Sequence, residues 1–149
     1  MNRPIDVYRH AAAPIEVVWD LLQDHLRYPD WTTVPKAELE RVGDDNPNGV
    51  GAIRRLGIGS IVAREQVVLY EPPLRLSYVV LSGLPVRGYR ADVVLNATSD
   101  GGTDIRWTGA FESAPFGLSG LMRRFLERIL RDFATALVRE AERRSTPVS

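Results

Sequence analysis

The segment FGLSGLMRRFLERILRDFATALVREAERR, residues 116–144, predicts one long amphipathic helix. Its apolar side chains recur at spacings of three and four residues, which places them along one side of a helix. The stripe consists of Leu118, Met122, Phe125, Ile129, Phe133 and Ala136, and it is widened by Leu121, Leu126, Leu130 and Leu137. Such a broad apolar face needs a broad apolar partner, and a curved sheet provides one. We therefore expect the helix to lie across the concave face of a sheet, with Phe125 and Phe133 in the core.

The region between Pro35 and about Ser113 predicts that sheet. Runs of alternating apolar and polar residues are separated by turn signals such as DDNPNG, EPP, LPVRG and TSDGG. Five or six strands fit into this region. The short connections favour an antiparallel meander over strands that are linked by helices.

The first 35 residues predict one more strand and two short helices. IDVYRHAAA begins with the alternation of a strand, and Pro14 then suits the first turn of a helix that runs to about Gln23. DHLRYPDW predicts a second brief helix, which we expect Pro29 to end.

The composition predicts one soluble domain over residues 1–144, with a loose tail over residues 145–149. The 149 residues include 19 Lys and Arg against 19 Asp and Glu, so no net charge favours nucleic acid or an anionic membrane. The chain has no cysteine and no signal-peptide pattern, and no segment approaches the roughly 20 apolar residues that span a bilayer. We expect a cytoplasmic protein without stable membrane insertion and without a nucleic-acid partner.

The order of these elements and several motifs resemble the SRPBCC superfamily, which includes START domains, plant pollen-allergen-like proteins and polyketide cyclases. The motifs are AAAPIEVVWDLLQD followed by YPDW, then GVGAIRRL, REQVVLYEPPLRLSY and GTDIRWTGAF, and they cover nearly the whole chain. The resemblance implies an α+β helix-grip fold, in which a curved antiparallel sheet of about seven strands carries two short helices and holds a long C-terminal helix across its concave face. It also implies an internal cavity for an apolar or amphipathic molecule.

A glutamate on the apolar side of a predicted strand is the first candidate for a functional site. In IVAREQVVLY, residues 61–70, the odd-numbered side with Glu65 has four apolar residues of five and the even-numbered side has three of five. This small difference favours an inward Glu65 and leaves the opposite orientation open. A buried carboxylate needs a partner. The resemblance places Glu65 where relatives carry a carboxylate facing the cavity, and Arg54 where they often carry an arginine. We expect a pair, either as a polar anchor for a ligand or as a structural salt bridge.

Further candidates are aromatic or apolar side chains on the predicted concave face and on the long helix. Tyr78 and Tyr89 offer hydroxyl groups to a ligand, although buried tyrosines are also ordinary core residues. We expect Trp31 near the mouth of the pocket. The remaining candidates for the pocket lining are Trp107, Phe111, Met122, Phe125 and Ile129.

The sequence contains no recognisable motif for catalysis, a metal ion or a cofactor. His10 and His25 lack the spacing of metal ligands, and Lys36, the single lysine, lies beside a proline. GxSxG, GxGxxG and P-loop motifs are absent from the sequence. We therefore assign no catalytic residue, no metal ligand and no cofactor.

These observations favour a protein that binds a hydrophobic or amphipathic small molecule between the sheet and the C-terminal helix. A polyketide cyclase or dehydratase-like enzyme is the first alternative, with Glu65, Tyr78 or Tyr89 assisting proton transfer. The second alternative is a partner-binding or chaperone-regulator module, or a homodimer, that uses strand edges and the loop LSGLPVRGY as contacts.

Overall fold

The structure is a computed structural model that describes residues 3–146, apart from the side chain of Ile58. It contains one antiparallel sheet with the strand order β1-β7-β6-β5-β4-β3-β2. The strands are β1 Ile5–Ala11, β2 Lys36–Arg41, β3 Ile53–Ile58, β4 Ile61–Glu71, β5 Arg75–Ser82, β6 Arg90–Ala97 and β7 Thr103–Ala110. The sequence-based prediction of a curved, seven-stranded meander is confirmed.

Three α-helices accompany the sheet. They are α1 Ile15–Gln23, the single-turn α2 Tyr28–Trp31 and the long α3 Ser119–Ser145, and a 3₁₀ turn at His25–Arg27 precedes α2. The expectation that Pro29 ends the second helix is wrong, because Pro29 lies in the first turn of α2. Proline fits there because the first turn of a helix does not use its N–H groups. The core lies between the sheet and α3, as the α+β helix-grip plan predicts.

The long helix begins three residues later than the sequence predicts. Phe116 is 95% exposed and has a φ of 58°, which lies in the left-handed region and cannot continue an α-helix. At the other end, Ser145 is the last residue of α3 and the Thr146 N–H donates to the carbonyl oxygen of Glu142. Of the predicted tail, residues 147–149 lie outside the described residues.

The buried face of α3 is rotated relative to the predicted stripe. Its buried members are Met122, Leu126, Leu130, Ala134, Leu137 and Ala141. Phe125 is 36% exposed, so the prediction that it belongs to the core is wrong. Two neighbouring apolar stripes are present on this helix, and the sheet covers the one that contains Leu126 rather than the one that contains Phe125.

The predicted inward face of β4 is confirmed in the middle of the strand, where Ala63, Glu65 and Val67 are buried. The register with β5 shifts after Val67, and Tyr70 beyond this irregularity packs against the core. Such a shift moves the following side chains to the other face. Alternation in LRLSYVV, residues 74–80, also predicts Leu74 on the concave face with Leu76 and Tyr78. Leu76 and Tyr78 are buried, but Leu74 precedes β5 and is 48% exposed.

No helix in residues 3–146 is long and apolar enough to cross a membrane.

Candidate functional site

Arg54 and Glu65 form a buried ion pair on neighbouring strands. The register of β3 and β4 places the two residues directly opposite each other. The Arg54 Nε atom donates a hydrogen bond of 2.9 Å to Glu65 Oε1, and Nη2 lies 2.8 Å from the same oxygen. Arg54 is 1% exposed and Glu65 is 7% exposed. The pair therefore lies inside the fold, and each charge compensates the burial of the other.

The remaining donor nitrogen of Arg54 is also occupied. Its Nη1 atom donates to Nδ1 of His25 at 2.8 Å and to the hydroxyl oxygen of Tyr28 at 3.1 Å. The Tyr28 hydroxyl in turn donates to the carbonyl oxygen of Leu22 at 2.6 Å. The guanidinium carbon also lies 4.3 Å from the centre of the Tyr78 ring, a cation–π contact. Arg54 is thus held by two contacts with the Glu65 carboxylate, by hydrogen bonds to His25 and Tyr28, and by the ring face of Tyr78.

His25 takes part in this network as a neutral acceptor. Because Arg54 has only donor groups, His25 Nδ1 has to accept, and the ring proton then resides on Nε2, 3.3 Å from the carbonyl oxygen of Asn48. Burial lowers the pKa of His25 well below its ordinary value, and the nearby Arg54 charge lowers it further. The sequence predicts neither His25 nor Tyr28 in this network, because His25 lacks the spacing of a metal ligand and Tyr28 belongs to no catalytic motif. Their spacing of three residues, which places two side chains on one side of a helical turn, was the available signal.

Burial shifts the pKa of two acidic groups at this site, Glu65 of the ion pair and the nearby Tyr89. Burial raises the pKa of the Glu65 carboxyl, and the charge and hydrogen bonds of Arg54 oppose that rise. Burial also raises the pKa of the Tyr89 hydroxyl, and the Glu65 charge adds to the effect. Within residues 3–146, neither Glu65 Oε2 nor the Tyr89 hydroxyl forms a hydrogen bond. Both groups are therefore available to a further partner.

Gly109 in β7 provides the space for Tyr89. A Cβ atom at this position would lie 2.8 Å from the Tyr89 hydroxyl oxygen and 3.1 Å from Leu130 Cδ1. Any side chain here would displace the tyrosine or α3. The Tyr78 hydroxyl has a partner, because Trp107 Nε1 donates to it at 3.2 Å.

An interior cavity of about 30 Å³ lies among these residues. Besides the Arg54–Glu65 pair, Tyr89 and Trp107, its walls include Ile129 and Phe133 of α3. A volume of this size holds about one water molecule. The interior between sheet and helix is therefore almost filled by side chains.

A much larger space, the outer groove, lies on the other side of these α3 side chains. It has a volume of about 660 Å³ and runs between residues 30–34 and residues 129–140 of α3. Thr32 positions the first wall, because its hydroxyl donates to the Tyr28 carbonyl and accepts from the Val34 N–H. Ile129 and Phe133 line both spaces, so these two side chains form the partition between the outer groove and the interior cavity.

Trp31, in the wall of the outer groove, contains an unusual polar atom. Its indole Nε1 is buried and has no hydrogen-bond partner in the described part of the chain. The ring packs edge-on against Tyr28, with centroids 5.1 Å apart. A buried N–H without an acceptor is costly, and such groups are rare in folded proteins.

The structure brings together six of the ten predicted ligand-binding residues around the interior cavity: Arg54, Glu65, Tyr78, Tyr89, Trp107 and Ile129. Trp31 lines the outer groove instead. The buried Phe111 and Met122 and the exposed Phe125 line neither of these two spaces. Phe133 was expected in the core, but it lines both spaces. No group of three metal-ligating side chains occurs among residues 3–146.

This sheet and its single long helix, with a polar pair and a small cavity between them, define a START-like helix-grip protein of the SRPBCC superfamily. The chain belongs to the family described as "Polyketide cyclase / dehydrase and lipid transport", whose model matches residues 5–142.

Several solved structures have the same fold. A START superfamily protein from Mycobacterium smegmatis is 15% identical, with a TM-score of 0.81 over 95% of this chain and 99% of that chain. Ara h 8.0201 is 11% identical, with a TM-score of 0.76 over 93% and 97% of the two chains. DynU16, a protein of the dynemicin biosynthetic locus, is 21% identical with a TM-score of 0.69, and 93% of this chain covers 47% of DynU16. Among curated proteins, none matches this sequence.

Proposed function

We propose that this protein binds a small hydrophobic or amphipathic molecule against α3, in the outer groove between residues 30–34 and this helix, next to the interior cavity between α3 and the sheet. The observation that supports this most is the arrangement of the two spaces on either side of Ile129 and Phe133. Small-molecule sites in proteins have volumes of roughly 300–1,000 Å³ and are mostly apolar, with a few polar groups. The outer groove has this volume, and its lining combines five apolar or aromatic residues with seven polar or charged ones. The interior cavity adds the Arg54–Glu65 pair and Tyr89.

In this proposal the ligand occupies the outer groove and contacts the interior through the partition. The interior cavity of about 30 Å³ is too small for a ligand of any size. Ile129 and Phe133 are partly buried members of α3. A rotamer change of either side chain joins the two spaces without unfolding the helix.

The proposal is tested by native mass spectrometry of protein purified from its own host. We expect a copurified small molecule, which organic extraction then releases for identification. Ala136→Trp fills the outer groove from α3 and should abolish its retention. Leu121→Trp is the matched control, because it introduces the same ring at an exposed position of α3 outside both spaces. Equal retention by Ala136→Trp and wild type would contradict the proposed site.

An enzymatic role is the second candidate, and the Glu65 carboxyl favours it. Burial raises the pKa of this carboxyl, and its Oε2 atom is available to a substrate. The Tyr89 hydroxyl lines the same cavity and also has no hydrogen-bond partner among residues 3–146. A carboxylate of raised pKa is suited to proton transfer. The family description includes polyketide cyclases and dehydrases, and DynU16 comes from a biosynthetic locus. Incubation with a synthetic poly-β-ketone tests this role: Glu65→Gln should abolish cyclisation, and equal products with and without protein would exclude it for that substrate.

The proposal also includes the cellular location of the protein and its subunit number. A cytoplasmic location is compatible with a chain that has no cysteine. Formation of a homodimer stays a prediction. The same native mass spectrum gives the subunit number, and cell fractionation of the host tests the location.

A further inference from the structure

The interior of the site has no uncompensated positive charge for an anion. Among the described residues that line the interior cavity, Arg54 is the one cation. Four of its five N–H groups are directed at Glu65, His25 and Tyr28, and the fifth is on Nη2, beside the Glu65 carboxylate. The Glu65 charge compensates that of Arg54, and a ligand carboxylate in this cavity would face the Glu65 carboxylate. Like charges in a setting of low dielectric repel strongly.

The outer groove is no better suited to an anion. Three of the charged side chains in its lining are carboxylates, those of Asp30, Asp132 and Glu140, whereas Arg139 is the one cation among the described lining residues. Glu140 is already paired with Arg143 at 2.5 Å. Asp30 in turn lies 3.9 Å from Arg27 Nη1. The remaining Asp132 and Arg139 balance each other, so the lining has no net positive charge to attract an anion.

One residue of the groove wall, Trp31, has an unsatisfied donor, its indole N–H. Trp31 is 9% exposed, and its Nε1 atom has no partner among residues 3–146. Since this atom is itself buried, an acceptor reaches it only after a side chain of the groove wall moves. An oxygen atom of a ligand would then satisfy a group that the unliganded protein leaves without a bond.

We infer that the ligand is an uncharged amphiphile whose carbonyl or ether oxygen accepts a hydrogen bond from the Trp31 indole. Its apolar body lies on Val34, Ile129, Phe133 and Ala136, which line the outer groove. This inference rests on the proposed function and narrows it to one chemical class. Neutral ketones, esters and ethers belong to this class of ligand, whereas fatty acids and other carboxylates do not.

The test compares two naphthalene probes with the same ring system. Prodan carries a neutral propionyl group, and dimethylaminonaphthoate carries a carboxylate in its place. Fluorescence titration of the full chain at neutral pH should show Prodan binding at least about tenfold more tightly than the carboxylate. This comparison uses the wild-type protein and does not depend on the folding of a variant.

Trp31→Phe then tests the proposed donor, because phenylalanine keeps an aromatic ring and removes the N–H. We expect Prodan to bind about fivefold to tenfold more weakly to this variant. The emission of bound Prodan should shift to shorter wavelength, since its carbonyl loses a hydrogen bond. Trp19→Phe is the matched control, because Trp19 is equally buried but lines neither space, and it should leave both readouts unchanged.

The possible outcomes separate this inference from the proposed function. Equal binding of both probes, or tighter binding of the carboxylate, would overturn the inference and leave a ligand site in place. Unchanged affinity and emission in Trp31→Phe would overturn the assignment of the donor. If neither probe binds and no molecule copurifies with the protein, the proposed function fails, and the inference fails with it.

Discussion

Phe133 of α3 stacks on Trp107 of β7, with ring centroids 5.8 Å apart and planes inclined by 18°. The same phenyl ring lies 6.1 Å from the ring of Tyr28. With Ile129 it separates the outer groove from the interior cavity. The position of this one ring therefore decides how far a ligand in the groove can approach the Arg54–Glu65 pair.

Phe133→Ala should join the two spaces. We expect a loss of about 2–3 kcal/mol in the free energy of unfolding, below the roughly 3–5 kcal/mol of a fully buried phenylalanine, because Phe133 is partly buried. We also expect tighter binding of Prodan, since the cavity beyond the ring becomes accessible. Urea unfolding and fluorescence titration measure the two effects. Phe125→Ala, at an exposed site on the same helix, should cost less than about 1 kcal/mol; equal losses in the two variants would contradict the partition.

The Arg54–Glu65 pair should show strong coupling in a double-mutant cycle. Glu65→Ala and Arg54→Ala should each cost about 3–5 kcal/mol, because each leaves a buried charge without its partner. The double variant should cost much less than the sum. The exposed pair Asp6–Arg106, with an N–O distance of 2.7 Å, is the control and should show little coupling. Additive losses at Arg54 and Glu65 would mean that the two charges do not stabilise each other.

His25 should make the protein less stable as the pH falls. Its pKa in the folded state lies well below its ordinary value near 6.5, so the unfolded chain takes up the proton first. The contribution of neutral His25 to the free energy of unfolding is thus complete above pH 6.5. Below that pH it decreases by up to about 1.4 kcal/mol per pH unit. Urea unfolding at several pH values measures this slope.

His25→Gln removes the titration and keeps an acceptor for Arg54, so it should flatten the slope below pH 6.5. His10→Gln is the control, because the contribution of His10 to stability changes with pH in the opposite direction. A hydrogen bond with Asp104 raises the pKa of His10, so its contribution is present below pH 6.5 and decreases as the pH rises through the folded-state pKa. An unchanged acid slope in His25→Gln would show that another group titrates in this window.

Gly109→Ala should destabilise the fold by about 1–3 kcal/mol, because the added methyl group would lie 2.8 Å from the Tyr89 hydroxyl oxygen. Tyr89→Phe removes that oxygen and should recover part of the loss. Gly57→Ala is a suitable control, since the nearest atom to its Cβ would be 3.7 Å away. Thermal unfolding of the single and double variants checks this prediction. Independent effects at Gly109 and Tyr89 would contradict it.

The features that the sequence predicted correctly depend on local periodicity. The alternation in residues 61–70 favoured the buried side of β4 for Glu65, whereas Arg54 was predicted as its partner from the family resemblance. The register of β3 and β4 places the two residues opposite each other. Turn residues between the strands predicted the meander, and apolar spacing predicted α3. Each of these signals extends over fewer than about thirty residues, because it reflects the geometry of a single strand, turn or helix.

The tertiary structure alone decided which apolar stripe of α3 is buried and what surrounds Arg54. Leu126 and Phe125 are equally suited to a core by sequence, and only the fit to the sheet buries one and leaves the other exposed. His25 and Tyr28 reach Arg54 across 29 and 26 residues of chain, and no period within one element encodes such a contact. The size of the interior cavity and the missing partner of the Trp31 indole likewise depend on how side chains from several elements fill a common space.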